Sequence, residues 1–198
     1  MAEHYYSQQP SAAHDRKSIE ETLRGRKLRF LTDAGVFSKN EVDFGSKALI
    51  RHMRIAATDQ VLDVGCGYGP IGLSAAVLAE KGHVTMVDVN ERAVALCRDN
   101  AAANRIGNVT IMQSDLFEKV AGKRYDVIVS NPPIRAGKAV VHRIFEEAAL
   151  HLEDGGALWI VIQKKQGAPS ALAKLEELYP DVEVVEKEKG YWIIVAQK

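Results

Sequence analysis

Val61-Leu62-Asp63-Val64-Gly65-Cys66-Gly67-Tyr68-Gly69-Pro70 joins a short apolar run directly to a turn with glycine at every second position. The run from Gln60 to Val64 reads as a buried strand, and the apolar spacing from Ile71 to Glu80 reads as a helix. Alternate glycines between a strand and a helix let the backbone turn tightly and approach a ligand that a Cβ would repel. Gly67, Gly69 and Gly72 also match the G-x-G-x-x-G spacing of dinucleotide-binding turns, so that reading stands beside any other at this point.

Downstream, the same strand-then-helix alternation repeats. His83 to Val89, Val109 to Gln113, Tyr125 to Ser130 and Ala157 to Ile162 read as strands. Glu91 to Arg105, behind the N-cap candidate Asn90, and His142 to Leu152 read as helices. This alternation predicts an α/β fold with a parallel sheet covered by helices on both faces. The continuous apolar runs Val127-Ile128-Val129 and Leu158 to Ile162 fit strands buried on both sides. After a helix from Ser170 to Leu178, the runs Val182 to Lys187 and Tyr191 to Ala196 are separated only by Glu188-Lys189-Gly190. Three residues cannot hold a crossover helix, so these strands form an antiparallel hairpin. At the other end, residues 1–15 read as a flexible arm, and residues 16–198 as one domain. Within it, residues 16–54 form an N-terminal extension and residues 55–198 the core. Ile19 to Leu23 and Lys27 to Thr32 make a small hairpin around Gly25, and Ser46 is placed to cap a short helix over Ala48 to Met53.

The composition limits the function. The 198 residues carry 26 cations and 26 anions, so no global positive field is available to hold nucleic acid. A local excess lies between Arg16 and Arg29, where six cations face only Glu20 and Glu21. A phosphate-contacting patch and an ordinary solvated strand pair both fit that segment. No uncharged apolar run is long enough to span a membrane, and the N-terminus lacks the pattern of a secretory signal. Two cysteines, Cys66 and Cys97, make neither a disulfide framework nor a metal site, and a reducing cytoplasm is expected. No metal is implied.

The polar residues gather where ligands of open α/β sheets bind, beyond the carboxyl ends of the strands. Asp63 precedes the glycines; a carboxylate there repels a pyrophosphate and attracts a cationic donor such as S-adenosylmethionine, with its ammonium and sulfonium. Asp88 closes the next strand and can accept both hydroxyls of an adenosine ribose; a helix-capping acid beside Asn90 is the other reading. Asp115, in Gln113-Ser114-Asp115, can accept from an adenine amino group or simply terminate the strand. Ser130-Asn131-Pro132-Pro133-Ile134 ends the fourth strand in a stiff loop, because two prolines fix φ and remove donors. The Asn131 side-chain oxygen and the Pro132 carbonyl can together accept both hydrogens of one substrate NH₂ group, favouring the pyramidal nitrogen that attacks a methyl group.

Three blocks carry a resemblance: Gly35-Val36-Phe37-Ser38 with Val42-Asp43-Phe44-Gly45-Ser46, then Val61 to Gly69, then Asn131-Pro132-Pro133. With the pattern between them, residues 28–198 resemble a class I S-adenosylmethionine-dependent methyltransferase, and within that class the RsmC-like small-subunit ribosomal RNA guanine-N2 methyltransferases. The resemblance implies a Rossmann-like sheet, mostly parallel, with a C-terminal antiparallel hairpin and methyl transfer to an exocyclic amine of RNA. It implies catalytic roles for Asn131, Pro132, Pro133 and Ile134. It implies a donor site at Phe37, Ser38, Gly45, Asp63, Gly65, Cys66, Gly67, Gly69, Asp88, Val89, Asn90, Ser114, Asp115, Leu116 and Asn131. Phe37, Ser38 and Gly45 would lie near the methionine end. Larger members carry a second, degenerate methyltransferase-like domain for which 198 residues leave no room, and they often have an aromatic residue where this chain has Ile134. Protein-glutamine methyltransferases share Asn-Pro-Pro but usually continue with Tyr. A nicotinamide oxidoreductase leaves the Pro-Pro loop unexplained, and a non-catalytic RNA-binding scaffold is argued against by the intact Asn131.

Overall fold

A computed structural model describes residues 8–198. Seven strands form the main sheet in the order β5-β4-β3-β6-β7-β9-β8. In chain order these are β3 (Gln60–Val64), β4 (His83–Asp88), β5 (Val109–Gln113), β6 (Tyr125–Ser130), β7 (Leu152–Gln163), β8 (Asp181–Glu188) and β9 (Tyr191–Gln197). All neighbours from β5 to β7 pair in parallel, and β9 runs antiparallel to both β7 and β8. The β8–β9 connection is two residues, Lys189 and Gly190, both at positive φ, the mirror-image turn that matches strand twist.

Strand alternation divides the interior into two cores. Val61, Val127, Val129, Trp159 and Val161 face one side, against α1 (Phe44–His52), α2 (Pro70–Leu78) and α3 (Glu91–Ala103). Leu62, Val64, Ile128, Leu158 and Ile160 face the other, against α4 (Lys138–His151) and α5 (Ala168–Leu178). The chain steps outward from β3 through β4 to β5, then returns to place β6 on the other side of β3. The reversal opens a crevice between the carboxyl ends of β3 and β6, the point where such sheets bind ligands. Ser130 Oγ donates to the Val64 carbonyl at 2.8 Å and ties those two strand ends together.

The remaining pair, β1 (Lys17–Leu23) and β2 (Arg26–Thr32), forms the expected separate hairpin. Its free edge is not left to water. Asn100 of α3 and its C-cap Asn104, one turn apart, each accept a backbone N–H from β2 and donate to the carbonyl of the same residue, Leu31 and Arg29 respectively. Two asparagines thus supply the ladder partners that an edge strand lacks.

Three expectations change. The arm expected at residues 1–15 falls partly on residues 1–7, outside the described residues. Residues 8–15 are held, because Arg92 donates to the Pro10 and Ala12 carbonyls, Gln8 accepts from the Glu91 N–H, and Asp33 binds His14 and the Asp15 N–H. The cap of α1 is Asp43 rather than Ser46: Asp43 Oδ2 accepts the Ser46 N–H at 3.1 Å, which puts Ser46 inside the first turn. The cations between Arg16 and Arg29 are mostly committed. Lys27 and Arg29 pair with Glu20, Arg16 stands 3.8 Å from Asp33, and Arg24 donates to the carbonyls of Ile50 and Arg51 at the end of α1 and of its C-cap Met53. Most of these cations are therefore engaged in contacts within the fold.

Candidate active site

The crevice widens into a cavity of about 800 Å³, within the range of small-molecule sites. Fifteen of the eighteen residues expected in the site line it: Phe37, Ser38, Gly65, Cys66, Gly67, Asp88, Val89, Asn90, Ser114, Asp115, Leu116, Asn131, Pro132, Pro133 and Ile134. Gly65 and Gly67 take positive φ, and an added Cβ at either would meet no protein atom within 4 Å. Their free space faces the cavity, so backbone can approach a ligand there.

Asp88 organises this loop. Its Oδ2 accepts the Gly67 N–H at 2.8 Å and its Oδ1 accepts the Asn90 N–H at 2.9 Å. Burial raises its carboxyl above the ordinary value, against these donors. A carboxylate has about four acceptor positions, so capacity remains for a ligand's hydroxyls. Asn90, as expected, caps α3 through the Ala93 N–H. Asp115 is more open, with Arg143 3.7 Å away. Ser114 Oγ is occupied within its own turn, donating to the Leu116 carbonyl and accepting the Lys119 N–H. Cys66 is buried beside Cys97, and that neighbour together with burial pushes its thiol well up, leaving it a neutral packing group.

Asn131 sits across the crevice. Its Nδ2 donates to Ser46 Oγ at 3.1 Å and stands 3.5 Å from both carboxylate oxygens of Asp43. A carboxylate only accepts, so the NH₂ end must face Asp43, and the amide oxygen is left to accept from a ligand. The neighbouring Pro132 carbonyl already accepts the Ile134 N–H at 2.9 Å, which leaves it one lone pair. Asp43, Ser46 and Tyr68 also line the cavity and were not expected there. The Tyr68 hydroxyl donates to the Ser38 and Glu41 carbonyls, fixing the loop that carries Phe37 and Ser38. The sequence offered Ser46 as the cap of α1, and gave no sign that Asp43 and Ser46 reach Asn131.

Three expected residues lie behind the wall. Gly45 packs against Tyr191, where a Cβ would come 2.7 Å from the ring. Gly69 begins α2 against Cys97 and Leu73. Asp63 is wholly buried, on the same face of β3 as Val61 toward α2, and neither carboxylate oxygen has a hydrogen-bond partner. Burial raises its pKa to about 8; the Gly72 N–H opposes this without a hydrogen bond of ordinary geometry, and the Asp88 charge adds to it. Burial thus favours the neutral acid at Asp63, which lies beneath the loop rather than in the cavity lining.

Comparison with known proteins agrees with this geometry. Residues 27–195 match the methyltransferase small domain model. The chain belongs to that family, and with it to the class I S-adenosylmethionine-dependent methyltransferases. Membership sets aside the dinucleotide reading of the glycines. Over their full lengths, the chain and the uncharacterized protein YbxB of Bacillus subtilis (strain 168) are 55% identical. It is 30% identical to the ribosomal RNA large subunit methyltransferase G of Streptomyces avermitilis, over 83% of this chain and 44% of that one. The T. thermophilus 16S rRNA N2 methyltransferase RsmC, solved with AdoMet and guanosine, superposes with a TM-score of 0.84 at 25% identity, covering 96% of this chain and 52% of that one. The chain therefore spans about half the length of the ribosomal RNA methyltransferases it matches.

Proposed function

We propose that this protein transfers a methyl group from S-adenosylmethionine to an exocyclic amine of ribosomal RNA, with guanine N2 as the target, in the cytoplasm. The observation that carries the reading is the orientation of Asn131, whose NH₂ end is held by Ser46 and Asp43 while its oxygen is left for a substrate N–H.

The residues present fit the donor. Gly65 and Gly67 offer close backbone approach, Asp88 offers carboxylate lone pairs for ribose hydroxyls, and Asp115 with Leu116 lies beyond β5 for the adenine. S-adenosylmethionine, when bound, supplies a methyl group on a sulfonium that is itself a good leaving group. The protein's own task is then positioning, which contributes roughly 7–11 kcal/mol in favourable cases. Asn131 Oδ1 and the free lone pair of Pro132 accept the two hydrogens of the target NH₂, and Ile134 offers apolar contact to the base.

Relatives named for either ribosomal subunit match this chain, so the test reads both. Purified protein, labelled donor and RNA from each subunit are incubated, and the RNA is digested to nucleosides. Label in N2-methylguanosine supports the proposal. Label in another nucleoside overturns the guanine assignment, and label in protein glutamine points to the other Asn-Pro-Pro acceptor. Donor binding without any transfer revives the scaffold reading.

A further inference from the structure

A chain with 26 cations and 26 anions attracts a polyanion only through local charge. In the N-terminal hairpin, Lys27 and Arg29 share one anionic partner, Glu20, and Arg24 is turned onto carbonyls at the end of α1, so these cations are engaged within the fold. Unpaired cations collect instead beside the cavity mouth. Lys164, Lys165 and Lys189 line one shallow depression with Gln163 and Gly190. All three lysines are exposed, and none forms an ion pair among the described residues.

The depression is built by the sheet. The Lys164 N–H donates to the Gly190 carbonyl at 2.8 Å, joining the turn after β7 to the β8–β9 turn just beyond the Gln163–Tyr191 strand pair. Lys189 Nζ lies 4.7 Å from the Phe44 ring centroid at the start of α1, which keeps it on this side. The next residues along both segments, Gln166 and Tyr191, line the active-site cavity, so the depression is continuous with its rim. Arg135, also exposed and without an ion pair among the described residues, lines that cavity from the Asn-Pro-Pro loop. Like charges gathered at one place repel one another, and none of these four cations forms an ion pair among the described residues. A ribose-phosphate chain whose base enters the cavity and which leaves across this rim would bring phosphates at regular spacing to these cations.

We infer that the depression of Lys164, Lys165 and Lys189 holds the phosphate backbone of the RNA acceptor beside the nucleotide whose base enters the cavity. The inference rests on the RNA reading proposed above. It assigns to the catalytic domain itself a grip on substrate that the charge excess at Arg16 to Arg29 had suggested for the hairpin.

The test measures binding of a short fluorescein-labelled single-stranded RNA of mixed sequence across a salt series. Removing three phosphate contacts by Lys164→Gln, Lys165→Gln and Lys189→Gln together should flatten the log–log salt slope by about 2. Between about 50 and 200 mM salt, wild-type affinity should then fall about 20-fold further than that of the variant. Calorimetry should give the variant wild-type affinity for S-adenosylmethionine, which separates a lost surface from a lost fold. Lys27→Ala with Arg29→Ala should leave the slope unchanged. An unchanged slope in the triple variant overturns the inference, as does a flattened slope in the hairpin variant. If wild type still methylates ribosomal RNA in that event, only the surface is lost. Wild type that neither binds nor labels RNA overturns the inference and the RNA reading together.

Discussion

Ser46 Oγ lies 3.1 Å from the side-chain nitrogen of Asn131, across 85 residues of sequence, and with Asp43 it sets which end of the Asn131 amide faces the cavity. If Asn131 acts by accepting a hydrogen as the target nitrogen pyramidalises, Asn131→Ala should lower kcat by about 10²-fold. Ser46→Ala and Asp43→Asn should each lower kcat by roughly 10-fold through misorientation, with donor affinity little changed. Asparagine remains a good helix cap, so Asp43→Asn keeps α1 intact. The double variant Asn131→Ala with Ser46→Ala should be no slower than Asn131→Ala alone, because Ser46 acts through the amide. Fully multiplicative losses would show that Ser46 contributes by another route.

Asp88 is expected to govern donor binding rather than turnover. Asp88→Ala removes the acceptor for the Gly67 and Asn90 N–H groups as well as for ribose hydroxyls. Calorimetry should show S-adenosylmethionine and its demethylated product both weakened by on the order of 1–3 kcal/mol. Loss of affinity for the product alone, or none for either, would remove Asp88 from the donor site.

Local signals made much of this molecule legible. The glycine loop, the strand-helix alternation and the three-residue separation before the last strand specify the sheet, because each depends on neighbours in sequence. Asn131 was legible from the two prolines after it. The partners that orient it were not, since Asp43 and Ser46 reach it only when α1 packs at the end of β6. Asp63 was misplaced for a different reason. Its position next to the glycines suggested the ligand, but it shares the Val61 face of a strand buried on both faces, which directs it into the core. For the hairpin cations, a sum of charges does not show which of them Glu20 and the α1 carbonyls engage.

The docking of the hairpin predicts a stability defect. Asn100 is fully buried and serves the Leu31 N–H, the Leu31 carbonyl and the Tyr68 carbonyl. Asn100→Ala leaves these groups without their partner and should destabilise the protein by about 3 kcal/mol in urea unfolding. Asn104→Ala, nearer solvent, should cost about 1 kcal/mol, since water replaces its bonds to Arg29. Equal effects would mean that Asn100 contributes no more than an exposed cap.

Asp63 predicts a pH dependence of stability whose sign follows from its burial. Its carboxyl is raised from 3.8 to about 8 in the folded protein. Below the lower value both folded and unfolded chains hold the proton, and the contribution of the buried neutral acid is fully present. As pH rises from there, the unfolded chain ionises while the folded one does not, so stability is lost until the folded group itself titrates near pH 8. The loss can approach about 1.4 kcal/mol per pH unit within that window. Asp63→Asn keeps the shape and neutrality but cannot ionise, so it should lack this slope. Urea unfolding from pH 4 to pH 8 should therefore show the variant gaining on wild type as pH rises. The difference should be smallest at the acid end and greatest at the alkaline end. A difference that stays constant across the series would mean that Asp63 is ionised in the folded protein, and its burial without partners would then need another source of compensation.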